Sequence, residues 1–226
     1  MESAPCAAAP PTNASSGATG AVSTAKRPAA ASPTRLSRSP TRSRAPQHAH
    51  NLIIYKATQP SAPAQVNLSS LGILYIAYHW ECLTGALGGP LTHIVTVPST
   101  RGRQGPHPIE TIITNRIRLP RLQPLVNTNY SPDDRDFHAD RFWLPPGAAT
   151  GARVLLMDDT WTSGGRIQSL AYMLKATGAA GVAAVVLGRH VNPEYGPART
   201  LIRQLRAAPR FDLTRCALED SGRTGT

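Results

Sequence analysis

Two short apolar runs with a helix-length segment between them constrain this chain more than anything else in it. "VLLM" occupies residues 154–157 and "VAAVVL" occupies 182–187. Each is too uniformly apolar for a strand with one wet face, so each reads as a strand buried on both sides. Between them, Ile167, Leu170, Ala171 and Leu174 recur at helical spacing from about Gly165 to Thr177, and Gly178 stops the helix. Strand, helix, strand on short links is a βαβ unit, which predicts a parallel sheet with a right-handed crossover. In such sheets ligands bind at the carboxyl ends of the strands.

Other elements surround this unit. Ile94 to Val97 reads as a strand ending in "PSTRGRQGPHP", and a helix follows from Pro108 with Ile109, Ile112, Ile113 and Ile117 on one side. "RLQPLV" (121–126) reads as another strand. "LSSLGILYIAYHWECLTGALGG" (68–89) reads as a buried helix capped by Ser69 or Ser70, with Leu71, Leu74, Tyr75, Tyr78 and Cys82 at helical spacing and Gly88-Gly89-Pro90 as its stop. His79 and Cys82 are read as core and flank rather than as ligands. From Asn127 to Arg141 the chain is polar and long for a connection inside a compact domain, which marks a functional or mobile loop.

Residues 1–50 do not read as a domain. They are Ala, Pro, Ser, Thr and Arg, with no large apolar residue between Val22 and Leu36, too little to offset the entropy of ordering. We expect a disordered basic tail at 1–50 and one α/β domain at 51–226. The tail has neither the amphipathic helix of a transit peptide nor the apolar core of a secretory signal. Of the 226-residue chain's net charge of +11, the tail carries +5. "RLSRSPTRSR" gives it weak, salt-sensitive nucleic-acid binding at most. Three widely spaced cysteines, Cys6, Cys82 and Cys216, make neither a disulfide framework nor a metal site, which fits a reducing cytoplasm. No apolar run approaches the ~18 residues of a membrane span.

The unusual chemistry falls at the strand ends: "PSTRGR", "DDTWTSGG" and "GRHVN". Thr160–Gly164 reads as a loop between strand end and helix start, where backbone N–H groups and the helix dipole suit a phosphate. Asp158 and Asp159, just upstream, would repel a phosphate but accept hydrogen bonds from a vicinal diol. A phosphate at one end and a diol at the other describe a ribose 5-phosphate.

Residues 154–164 resemble the motif by which type I phosphoribosyltransferases bind 5-phosphoribosyl 1-diphosphate (PRPP): hydrophobics, two acids, then a Thr/Ser/Gly loop. "VPSTRGR" followed by a helix is most similar to the ComF-like bacterial members. The resemblance spans roughly residues 70–192. It implies an α/β fold with a type I phosphoribosyltransferase-like parallel sheet flanked by helices. It implies that Asp158 and Asp159 bind the ribose hydroxyls, and Mg²⁺ directly or through water. Thr160, Trp161, Thr162, Ser163 and Gly164 would hold the 5-phosphate end. Ser99, Thr100, Arg101 and Gly102 would bind pyrophosphate. Arg101, Arg135 and Arg141 would act catalytically, the last two from a flexible loop at 127–141, where the four acids Asp133, Asp134, Asp136 and Asp140 are unexpected. That segment is otherwise read as a hood or as a homodimer contact. Arg189, His190 and Asn192 are the acceptor-site candidates. The expected activity is transfer of the phosphoribosyl group to a nucleobase or related acceptor with loss of pyrophosphate. The alternatives are a non-catalytic PRPP-binding regulator and a ComF-like accessory protein.

Overall fold

The computed structural model describes residues 30–31, 47–102, 105–192, 194, 196, 198–207 and 212–214. Most of the expected tail, and Cys6 and Cys216, lie outside them. The sheet is built on three parallel strands, β2 (His93–Thr96), β5 (Arg153–Trp161) and β6 (Gly181–Arg189), in the order β2-β5-β6. The two residues of β1 (Ala30–Ala31) pair in parallel with Ala184 and Val185 on the free side of β6.

Alternation along β5 and β6 sorts the core into two layers. Leu155, Met157, Val185 and Leu187 face α1 (Gln47–Ile54), α2 (Ala62–Tyr78) and α4 (Pro108–Ile112), where they meet Leu52, Tyr55, Leu68 and Ile109. Val154, Leu156, Ala184 and Val186 face α5 (Gly165–Ala176), packing on Ile167, Leu170 and Leu174. Helices on both faces explain why neither strand shows an apolar–polar rhythm.

Three sequence expectations are corrected. The long helix starts at Ala62, where Ser61 Oγ accepts from Ala64 N (3.4 Å) and Pro63 fits the first turn. Ser69 is instead buried, donating to Ile112 O at 2.5 Å and so tying α2 to α4. The helix also breaks at His79, beyond which α3 (Trp80–Ala86) continues; His79 is buried against Tyr75 and its Nε2 lies 2.8 Å from Leu213 O. "RLQPLV" does not enter the main sheet as a strand. Its Leu125–Val126, β3, pair antiparallel with β4 (Phe142–Trp143), and only Arg121 bridges to Ile94. Pro120 and Pro124 lack the N–H groups a ladder needs, which confines this segment to an edge.

The boundary at residue 50 falls inside α1. His48 Nε2 donates to Leu187 O at 2.7 Å, and burial lowers its pKa, keeping the ring neutral. Gly188 lets the helix approach: a Cβ there would lie 2.4 Å from Leu52 Cδ1. Removing residues 1–50 should therefore lower stability by roughly 1–3 kcal/mol, from one lost part-buried hydrogen bond and the first turn of α1. Removing residues 1–29 alone should not. Urea melts of the two truncations against the full chain check this.

Candidate functional site

The carboxyl ends of the three strands form the floor of a cleft of about 680 Å³. One wall is α1 and Lys56 just after it; the opposite wall is the start of α5. Asp158, Asp159, Thr160, Trp161, Thr162, Ser163 and Gly164 all line it, as do Ser99, Arg101, Arg135, Arg189 and His190. Thr100, Gly102, Arg141 and Asn192 do not. Thr100 Oγ1 donates to Pro132 O (3.3 Å), and Asn192 Oδ1 accepts from Glu194 N (3.0 Å).

β5 runs further than expected. Asp158 pairs with Val186, Thr160 with Gly188 and Trp161 with Arg189, so Thr160 and Trp161 belong to the ladder rather than to a loop. The alternation of the core therefore continues through the acids. Asp159 follows Leu155 and Met157 toward α1, and Asp158 follows Val154 and Leu156 toward α5. The two carboxylates are neighbours in sequence but face opposite layers.

Their surroundings differ accordingly. Asp159 is 6 % exposed, and its Oδ2 accepts from Tyr55 Oη (2.6 Å) and Lys56 Nζ (2.5 Å). Burial alone would raise its pKa, but the charge and hydrogen bond of Lys56, with the Tyr55 hydroxyl, outweigh it and hold the group below the usual value. Asp158 is half-buried, with Oδ1 accepting from Asp159 N at 2.8 Å. Burial, then the neighbouring Asp159 charge, push its pKa up to about 8. At neutral pH it holds a proton and presents both a donor and an acceptor.

The turn Thr162–Gly164 opens α5, with Gly164 as N-cap at φ 86°. Both glycines there are sterically required. A Cβ on Gly164 would sit 2.3 Å from the Trp161 ring, and one on Gly165 would sit 2.1 Å from Arg135 O. Ser163 Oγ donates to that same carbonyl at 2.5 Å and accepts from Gly165 N at 3.3 Å. First-turn amides point along the helix axis toward the cleft, as an anion requires.

Sequence reasoning did not single out Lys56 and Arg166, which line the cleft, or Tyr55, which is buried behind Asp159. Tyr55 and Lys56 were not singled out because α1 straddles the assumed boundary of the tail. Arg166 carried a readable signal, since a cation in the first turn opposes the helix dipole unless an anion sits beside it. Its Nε is buried without a hydrogen-bond partner, while its Nη2 donates to both Pro132 O and Asp134 O. Burial, then Arg141, lower its pKa, with smaller contributions from Arg135 and Arg101.

Asp134 and Asp140 turn inward on their own segment, while Asp133 and Asp136 are exposed. Arg141 is fully buried, paired with Asp134 at 2.8 Å, with its carbon 5.2 Å from the Tyr130 ring centre. His138 stacks on Tyr130 at 4.0 Å and meets Asp134 at 2.8 Å, and Tyr130 Oη donates to Asp140 at 2.5 Å. The Asp136 N–H hydrogen bond, with His138 and Arg141, holds Asp134 below the usual carboxylate pKa. Arg101 pairs with Asp133 at 2.5 Å. The expected role of Arg141 at the pyrophosphate is thus corrected: it holds this segment together. Only Arg135 of the two loop arginines reaches the cleft.

No protein-family model matches this chain, and no curated protein matches it in sequence. Among the described residues no group of three His, Cys, Asp or Glu side chains is arranged to hold a metal. The acid pair does not fit direct Mg²⁺ coordination either: its members face opposite layers, and Asp159 Oδ2 is already engaged by Tyr55 and Lys56. No described helix is long and apolar enough to cross a membrane.

Gly165→Ala should force the 127–141 segment off the turn, since the obstacle is backbone rather than a flexible side chain. We expect a loss of about 1–3 kcal/mol and faster proteolytic cleavage within 127–141, read by denaturant melts and limited digestion. Asp158 sets a pH dependence. Its folded pKa lies above the unfolded value, so its contribution is complete below about pH 4 and is lost as pH rises toward 8. Asp158→Asn should flatten this part of the curve, whose slope cannot exceed about 1.4 kcal/mol per pH unit. Urea melts of both proteins at several pH values between 5 and 8.5 check it.

Proposed function

We propose that the cleft binds PRPP and that the protein transfers its phosphoribosyl group to a nucleobase or related acceptor, releasing pyrophosphate. The observation that carries this reading is the union, at one strand end, of an anion-ready helix start and a hydroxyl-ready acid. The Thr162–Gly164 turn and Arg166, with its unpaired Nε, suit the 5-phosphate. Asp158, protonated at neutral pH, suits a sugar hydroxyl, which also donates and accepts. Lys56, Arg101, Arg135, Arg166 and Arg189 add positive charge around the same space, whose size falls in the ordinary range for small-molecule sites.

In the reaction the bond from the anomeric carbon to the pyrophosphate oxygen breaks, and a bond to an acceptor nitrogen forms. Positive charge develops on the sugar ring and negative charge on the leaving group. Arg101 and Arg135 stabilise the leaving pyrophosphate, the former after exchanging Asp133 for it. Arg189, the last residue of β6, and His190 just after it flank the acceptor. Mg²⁺ enters as part of the substrate, on its diphosphate.

One observation favours the non-catalytic alternative. The 127–141 segment is cross-tied through Arg141, Asp134 and His138 and docked on the turn, which suits holding PRPP better than closing over it at each turnover.

PRPP with Mg²⁺ should stabilise the chain by about 2.7 kcal/mol at a hundred times its dissociation constant, visible as a rise in melting temperature. Arg166→Met should weaken PRPP binding at least tenfold, since a charged hydrogen bond to phosphate is worth about 1.5–3 kcal/mol. An unchanged melting curve at millimolar PRPP sinks the assignment. Pyrophosphate release across a panel of bases separates transferase from regulator.

A further inference from the structure

Asp159 presents an arrangement that neither the motif nor the proposed reaction requires. It is almost wholly removed from water, yet two donors from one short segment, Tyr55 and Lys56, converge on its single oxygen Oδ2 at 2.6 and 2.5 Å. Both follow directly on α1, so the contact also fixes that helix over the carboxyl end of β6, beside the His48 hydrogen bond to Leu187. A buried carboxylate needs a compensating cation, and here the chain supplies its own. A divalent ion on that oxygen needs a separation of about 2.0–2.6 Å, the space the ammonium already fills. Asp158 does not offer a second ligand, because strand alternation turns it toward α5.

Resting on the reading of the cleft as a sugar-phosphate site, we infer that Lys56 is the resident cation of the acid pair, standing on Asp159 where a coordinated divalent ion would otherwise sit. Lys56 is a positioning residue: with Tyr55 it holds Asp159 and α1 in place. The ribosyl phosphate is then bound without a metal ion on these carboxylates, and any divalent ion arrives on the substrate's diphosphate.

The test uses the full-length chain with two probes, MgCl2 alone and ribose 5-phosphate, which has no diphosphate to carry a metal. Wild type and Lys56→Arg should show the same melting temperature with and without millimolar MgCl2. Lys56→Met leaves Asp159 charged and unmatched, so it should melt lower and regain part of the loss on adding MgCl2. Lys56→Met combined with Asp159→Asn should not respond. A wild-type gain with MgCl2 that Asp159→Asn abolishes overturns the inference, and so does a folded Lys56→Met protein indifferent to MgCl2. If Lys56→Met does not fold, wild type against Asp159→Asn decides alone.

In calorimetry, wild type should bind ribose 5-phosphate in EDTA within about twofold of its affinity in MgCl2. A loss of about tenfold or more in EDTA overturns the proposal. Absence of binding under both conditions sinks the sugar-phosphate reading instead, while the MgCl2 melts still judge Lys56.

Discussion

The site depends on one geometric constraint: β5 keeps its period of two after its hydrophobic residues run out. Val154 to Met157 are fully buried, and the ladder to β6 continues through Asp158, Thr160 and Trp161. Because the pleat does not stop where the apolar run stops, two consecutive acids are delivered to two different layers. Like-charge repulsion, the obvious objection to an Asp-Asp pair, is met by giving each acid its own solution. One is neutralised by a lysine and a tyrosine; the other keeps its proton. A one-residue slip would exchange these environments and put Asp158 against the lysine.

From that constraint the two walls follow. Asp159 ties down α1 through Tyr55 and Lys56, so a helix with few apolar anchors of its own is held by polar contacts at both ends. Asp158 leads into the turn before α5, where Gly164 and Gly165 let the Trp161 ring and the 127–141 backbone pack against the helix start. That backbone is in turn supported from within by Arg141. A fully buried guanidinium is costly to desolvate; Asp134 and the carbonyls of Asp134 and Asp136 engage its two terminal nitrogens, while its Nε has no partner. Asp134 and Asp140 are the segment's internal struts.

How much of this was legible in the sequence follows the same physics. The βαβ unit was readable because strands buried on both faces leave continuous apolar runs, and the helix between them keeps its period. The true end of β5 was not, because Asp158 to Trp161 have the composition of a loop and their strand conformation comes from pairing with β6. α1 was hidden for a related reason: His48, Tyr55 and Lys56 dock it through hydrogen bonds that no periodicity records. Ser69 has the type of an N-cap and was read as one, yet a buried serine beneath a neighbouring helix looks identical in sequence. In 127–141 the acids were visible but their partners were not, since Arg141, His138 and Tyr130 match them only after the segment has folded back on itself. The strand-end location of the site was legible, because topology alone places it there.

Charge supports the proposal that the cleft takes an anion. Arg166 stands in the first turn of α5, where the dipole disfavours a cation, and burial together with Arg141, Arg135 and Arg101 disfavours it further. Asp158 offsets part of this, and Asp159 is already committed to Lys56. The free protein therefore holds more positive charge along this wall than its own acids balance. A bound phosphate would relieve all of these repulsions at once, and it would do so without the desolvation of a buried ion pair, since the cleft stays open to water. The same excess argues against a cationic or neutral ligand at the turn, whose binding would leave the Arg166 Nε unsatisfied.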